Sequence, residues 1–512
     1  MGLVWCLSPK IEGKYGASLG EHPLSVFSFC PNKQTINRKK NMLRNRLPEI
    51  EIPEDDPFKN DKFDRKSCAD IFINLIKMYY SSGCVIALNG EWGAGKTTFV
   101  KMVQQELKNR AHPLYFNAWN NDYVSDPLIA LLSELKELCP DSNKWEKLCA
   151  NGGKIALKMG KAYVKGFLKE KFGITEEIMN ATDEIDDILK DSIKEFTEQK
   201  TAFEEFRIAL RDYIADNSSQ EAPVVFFIDE LDRCSPKFAV LVLERIKHLF
   251  DIPNIVFVLS VNKKQLGYAV QGYYGSANID ADNYLRRFID IEYTLPQPNI
   301  NVFCQYLYDI YKFENVFMNK SRMQFPGLQN DADNFKKIAP ILISSSKLDF
   351  RTADKIYVHT RLTLMEFDIN NYIIPDVFFL LCYLKIVNYD LYYNILNRKY
   401  KLQELLDEIE DFFPLELLEK REEYDSPSRV MTFTIASLIS MYNLDEDGVE
   451  QINLRDIDGD NQPSIKTKHI DSKTFYDIIA WNYNQRSRIV PLSYILKKIE
   501  LQEEIHFDKY ND

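Results

Sequence analysis

Residues 84–100 read Cys-Val-Ile-Ala-Leu-Asn-Gly-Glu-Trp-Gly-Ala-Gly-Lys-Thr-Thr-Phe-Val, and no other stretch restricts the fold as much. The apolar run 85–88 has the length and β-branching of a buried strand. Gly90, Gly95, Lys96 and Thr97 then fill the pattern G-x-x-x-x-G-K-[ST]. Glycines there let the backbone curl until its N–H groups face inward around a polyphosphate. Glu91, Trp92, Gly93 and Ala94 complete the loop and Thr98 follows it, so residues 90–98 form the candidate nucleotide-binding segment. Lys96 is expected to reach the outer phosphates as a point charge, and the Thr97 hydroxyl to ligate Mg2+. Phe99, Val100, Met102, Val103 and Leu107 recur at helical spacing, which aims a helix N-terminus at the anion. A chance glycine-rich turn would lack the strand before it and the helix after it.

Residues 224–230, Val-Val-Phe-Phe-Ile-Asp-Glu, are five apolar residues ending in two carboxylates. This describes a central parallel strand whose carboxyl edge faces a ligand. Asp229 is expected to belong to the Mg2+ shell, and Glu230 to orient or deprotonate the attacking water. A carboxylate pair can also cap a helix, but this one follows a phosphate loop at a spacing that suits one nucleotide fold. Asp232 and Arg233 are expected to tie the loop by a salt bridge or to face a neighbouring subunit. Residues 255–261 predict a third buried strand, after which Asn262 can touch the γ-phosphate or its water, or simply cap a turn. Arg286 and Arg287 precede a strand at 291–295; they can serve as an arginine finger in cis or in trans, or form a surface basic pair. Arg351 opens a later helix and can reach back to the phosphates from a lid. The fold class is therefore α/β, a P-loop NTPase parallel sheet with a helical insertion and a C-terminal mainly helical region.

At 512 residues the chain is too long for one core. Residues 1–45 carry little periodicity and predict a disordered leader, with Met42 as an alternative start of translation. Residues 46–296 form the nucleotide core, interrupted by a helical insertion at 140–220. Residues 297–400 predict a lid-like helical domain, and 401–512 a further, mainly helical domain. The net charge of −12 argues against a protein that coats nucleic acid, although a local basic face remains open. Lysines recur every three to four residues across 154–171, which suits a solvated helical face, or a peripheral contact with an anionic surface or another protein. No run of eighteen apolar residues exists, so no transmembrane segment is expected. Nine scattered cysteines without a C-x-x-C pair suit reduced thiols in a cytoplasm. Residues 456–460 resemble a calcium loop only superficially, because Asn461 and Thr467 stand where Gly and Glu are needed.

Several of these segments together resemble the KAP family of P-loop NTPases. They are Asp55-Asp56-Pro57, residues 90–97 with their Glu-Trp-Gly start, Phe116-Asn117-Ala118-Trp119, residues 227–234 (Phe-Ile-Asp-Glu-Leu-Asp-Arg-Cys) and the stretch from Arg287 to Pro296. The resemblance runs from roughly residue 55 to 360. It implies ATP binding, a helical region after the core and, in bacterial members, links to phage exclusion or membrane-associated signalling. Carried onto this chain, Lys96, Thr97, Asp229 and Glu230 take the nucleotide and hydrolysis roles. Many members place transmembrane helices in the insertion, which here is studded with lysines instead. Three functional readings are compatible with these features: an ATP-driven, Mg2+-dependent switch with a protein partner or self-association, a nucleotide-binding scaffold without appreciable turnover, and a nucleic-acid-stimulated ATPase.

Overall fold

The apolar runs read from sequence become the strands of one sheet. The computed structural model describes residues 50–501 apart from 125, 139–144, 153–200, 202–203, 216–221, 248–251, 347, 420–425, 445–448, 450–464 and 485–489. Strands β1 (Cys84–Asn89), β2 (His112–Asn117), β3 (Val224–Asp229), β4 (Ile255–Val261) and β5 (Ile291–Thr294) pair in the order β2-β3-β4-β1-β5, all parallel. The register sets Asn117 opposite Asp229, Asp229 opposite Ser260, and Asn89 opposite both Val261 and Thr294. Every strand therefore ends at the same edge, where open α/β sheets bind ligands.

Parallel strands are covered on both faces, which is why β1, β3 and β4 are apolar without alternation. The pleat still sorts their side chains. Phe226 and Ile228 join a core with Phe257, Leu259 and the buried faces of α3 (Pro127–Leu135), α4 (Pro236–Lys247) and α5 (Lys263–Tyr274). Val225 and Phe227 point the other way, into a core with Val256, Val258 and the buried faces of α1 (Arg65–Tyr79) and α2 (Lys96–Leu107). An ion pair crosses the first of these faces. Arg245 of α4 meets Asp126, which also caps α3 through Leu128 N–H, and both charged side chains are buried. Parts of the insertion pack here as well: Trp145, Leu148, Phe206 and Tyr213 join this core, and the Tyr213 hydroxyl donates to Leu135 O at 3.0 Å. Its lysine-studded segment, the leader and residues 456–460 lie outside the described residues.

After β5 the described residues are mainly helical. Among the helices are α7 (Ile300–Ile310), α8 (Asp331–Ser345), α9 (Phe350–Leu364), α10 (Pro375–Val387) and α11 (Tyr389–Leu396), while α6 (Ala281–Leu285) lies earlier, just before β5. One buried cluster runs from Phe303 to Ile499, so the boundary expected at residue 400 does not coincide with a break in the core. At its centre residues 377–384 of α10 are buried on every side, as a helix apolar all round should be. The apolar run 375–396 predicts one helix but forms two. Asn388 leaves helical geometry (φ −140°, ψ 79°) and its side chain caps α11 through Leu391 N–H. Among the described residues no helix is long and apolar enough to cross a membrane.

Candidate functional site

The loop after β1 opens with Gly90 N–H donating to Val261 O at 3.1 Å, which fastens it to the neighbouring strand. Gly93 and Gly95 take φ of +84° and +82°, a region that costs other residues about 1–2 kcal/mol. The chain then enters α2, with Phe99 N–H bonded to Gly95 O. Lys96 folds back over the loop, its ammonium donating to Gly90 O at 2.6 Å and Glu91 O at 3.2 Å. Burial lowers its pKa, opposed chiefly by Asp232 and then Asp229.

Asp229 ends β3, 1% exposed. Its carboxylate accepts from the Tyr115 hydroxyl at 3.1 Å and from Glu230 N–H at 3.0 Å. Burial, reinforced by Asp229, pushes the Tyr115 phenol far above its usual range, so it stays a donor. Glu230 stands at φ +61°, a strained position for a non-glycine residue. One of its oxygens pairs with Arg233 at 2.6 Å, and the other accepts from Asn117 at 3.4 Å. Asp232 accepts from Trp92 Nε1 at 2.6 Å and from Asn262 N–H at 3.0 Å, which joins the phosphate loop to the ends of β3 and β4.

Trp92, Gly93, Gly95, Lys96, Thr97, Asp229, Glu230, Asp232 and Arg233 line one cleft. Its far wall comes from the helical region: Phe303, Phe350, Arg351 and Asp354. Arg351 sits at the start of α9, behind the cap Asp349, and burial together with the like charge of Arg233 lowers its pKa. Loop and lid touch directly. A Cβ on Gly93 would meet Phe350 Cβ at 3.1 Å and Arg351 N at 3.2 Å.

Within the loop segment Gly90, Glu91, Ala94 and Thr98 do not line this cleft, and neither do the more distant Asn262, Arg286 and Arg287. Asn262 caps α5 through Lys264 and Gln265 N–H, while its amide nitrogen donates to Glu91 at 2.8 Å. Both ends of the side chain are thus engaged, and of the two readings made from sequence the structure has the cap. Arg286 and Arg287 are exposed and follow α6. Three residues later Asp290 bonds Val85, at the amino end of β1. The cleft lies at the other end of that strand, about 15 Å away at the strand rise of ~3.3 Å per residue. The reading of these two arginines as a finger in cis is corrected by that separation.

One participant escaped the sequence reading. Arg65 of α1 is buried, and its guanidinium donates to Ala94 O in the loop at 2.8 Å and to Pro296 O, where β5 gives way to the helical region, at 2.6 Å. A lone arginine on an amphipathic helix carries no signal for contacts this remote in sequence.

A parallel sheet of this order, with a glycine-rich loop leading from β1 into α2, defines a P-loop nucleotide-binding domain. The chain belongs to the KAP family: it matches the KAP family P-loop domain over residues 65–411. It is 20% identical to the phage T7 exclusion protein of Escherichia coli K12 over 240 residues, 44% of this chain and 32% of that protein. It is 42% identical to the alpha-hemolysin translocation ATP-binding protein HlyB of Escherichia coli O157:H7 over 62 residues, 12% of this chain and 8% of that one. The chain thus spans a third or less of the length of these curated relatives. Among solved structures, the ORC2 protein of Aeropyrum pernix (ADPNP-ADP complexes) aligns with 90% of this chain and 95% of its own at 10% identity and a TM-score of 0.30.

Proposed function

We propose that this chain is an Mg2+-dependent switch that binds and hydrolyses ATP, its helical region responding to the nucleotide. The supporting observation is the single cleft shared by Lys96, Thr97, Asp229, Glu230 and Arg351. The donor set suits the ion: a hydroxyl and a carboxylate, Thr97 and Asp229, are what Mg2+ takes when phosphate oxygens supply further ligands. Bound there, the ion would neutralise charge on the phosphates. Lys96 and Arg351 would stabilise the charge that develops on the transferred phosphoryl group. Glu230 would orient water for attack on the γ-phosphorus as the bond to the bridging oxygen breaks.

ATP binding and phosphate release by the purified chain test this reading. Lys96→Ala is expected to abolish binding. Glu230→Gln is expected to keep binding and lower turnover by about 10²–10⁴-fold, the scale of a lost general base. Unchanged binding and turnover in both variants would refute the reading. The Arg233–Glu230 pair favours a second one, a scaffold that holds nucleotide without appreciable turnover. Tight ATP binding with no phosphate release, partners added or not, would identify it. DNA-stimulated turnover that is lost on charge reversal of 154–171 would identify the third, nucleic-acid-dependent reading.

Arg286 and Arg287 are proposed to act in trans on a second copy's cleft. Turnover per chain should then rise with protein concentration, and fall when both are changed to alanine. A cytoplasmic role in antiphage defence is proposed on the similarity to the phage T7 exclusion protein. Comparing phage plating on cells that carry wild type or Lys96→Ala tests it.

A further inference from the structure

A second cavity lies beside the phosphate cleft, and Gly93, Gly95, Phe303 and Phe350 line both. The second is walled mainly by apolar groups, among them Phe63 of the segment before α1 and Phe99 and Met102 of α2. We infer that this cavity is the slot for the nucleotide's base, and that it takes a purine by stacking and enclosure without reading the edge that separates adenine from guanine. The inference rests on the triphosphate reading of the cleft.

Continuity is the first reason. A ligand with its phosphates against Lys96 and a flat apolar group beyond Gly95 would span both cavities around one loop. The walls are the second reason. Aromatic and aliphatic side chains suit a planar ring, and these are held in place. The Phe63 ring packs edge-on against Tyr306 at 5.3 Å, and Phe303 lies 4.3 Å from Phe350.

The third reason concerns what the slot can read. Two of its three charged groups are already engaged. Asp61 accepts Phe63 N–H at 2.9 Å through one oxygen, and Arg65 and Lys66 N–H through the other. Arg65 spends its guanidinium on Ala94 O and Pro296 O. Thr98 and the exposed Lys62 remain among the polar side chains of the wall. The Thr98 hydroxyl rotates to donate or accept, and the exposed Lys62 can donate to N7 or N3, which adenine and guanine share, so neither imposes a fixed pattern on the purine edge. A site that hydrogen-bonds a distinguishing group rejects the wrong ligand by about 10⁴–10⁵-fold, whereas an apolar pocket manages about 10–200-fold. The second regime applies here.

The test is binding of ATP, GTP and inorganic triphosphate to the full chain with Mg2+ present. ATP and GTP should bind within about 200-fold of each other, and both at least about tenfold more tightly than inorganic triphosphate, the worth of one stacked ring. Phe63→Ala should erase the advantage over inorganic triphosphate and Phe63→Trp should keep it. Phe63 also packs on the helical region, so if the alanine variant does not fold, the wild-type series decides alone. A preference of more than about 200-fold for either ATP or GTP overturns the inference. Inorganic triphosphate binding as tightly as ATP also overturns it, yet leaves the phosphate cleft standing. If none of the three binds, the triphosphate reading falls as well.

Discussion

Gly93→Ala offers a measurement in which two adjacent glycines serve as each other's control. Gly93 and Gly95 have nearly the same positive φ, +84° and +82°, so alanine at either takes on about 1–2 kcal/mol of left-handed strain. Their surroundings differ. A Cβ on Gly95 meets nothing within 4 Å, but on Gly93 it meets Phe350 Cβ, Arg351 N and Phe350 N at 3.1, 3.2 and 3.3 Å. Two of these atoms are backbone and the third is a Cβ, so none can swing aside as the tip of a side chain would. The start of α9 must shift by a few tenths of an ångström, and overpacking of this kind costs about 1–3 kcal/mol. Gly95→Ala should therefore destabilise the nucleotide-free protein by about 1–2 kcal/mol, and Gly93→Ala by about 2–5 kcal/mol. Unfolding without nucleotide is the proper assay, because both variants narrow the space for a phosphate. Equal losses, or a larger loss for Gly95→Ala, would show that loop and lid do not meet as described.

Two further outcomes are expected. Arg245→Ala strands the buried Asp126 carboxylate and should cost about 3–5 kcal/mol, whereas Arg245→Met combined with Asp126→Asn, which keeps the α3 cap, should cost far less in chemical denaturation. Burial, with Asp331 adding to it, lifts Asp376 from an ordinary value near 3.8 to about 6. Between those values the folded state holds more protons than the unfolded state, so this group's contribution to stability falls as pH rises from about 4 to about 6. Asp376→Asn should remove that slope, worth roughly 2–3 kcal/mol, when stability is measured across this range; an unchanged slope would contradict the assignment.

What was legible in the sequence came from local chemistry. The runs 85–88, 224–229 and 255–261 announced buried parallel strands because both faces of such a sheet are apolar, and the spacing from Gly90 to Thr97 announced the loop. Helix α9 runs from Phe350 to Leu364 because its apolar period is clean and Asp349 caps it. The rest depended on pairs far apart in the chain. Asn262 ended a strand beside the cleft and so invited a phosphate role, but its amide is held by α5 and Glu91. The break at Asn388 was hidden in a continuous apolar run, since a cap within such a run does not interrupt its hydrophobicity. Phe303 and Phe350 belong to the core of the helical region, yet they also face the cleft, a second role that an apolar side chain does not signal. Arg286 and Arg287 looked close to the nucleotide because β5 is, although they lie at its opposite end.

The order of the strands has a consequence for synthesis. Strand β1 bonds on one side to β4, where Cys84 faces Val256, and on the other to β5, where Asn89 faces Thr294. Both neighbours leave the ribosome some 170 to 200 residues after it. Through that interval the run 85–88 has two open edges and an apolar surface, the condition in which nascent chains aggregate or recruit chaperones. A polypeptide stopped short of residue 255 would carry the whole signature loop but lack β4, the strand that joins β1 to β3 and β2.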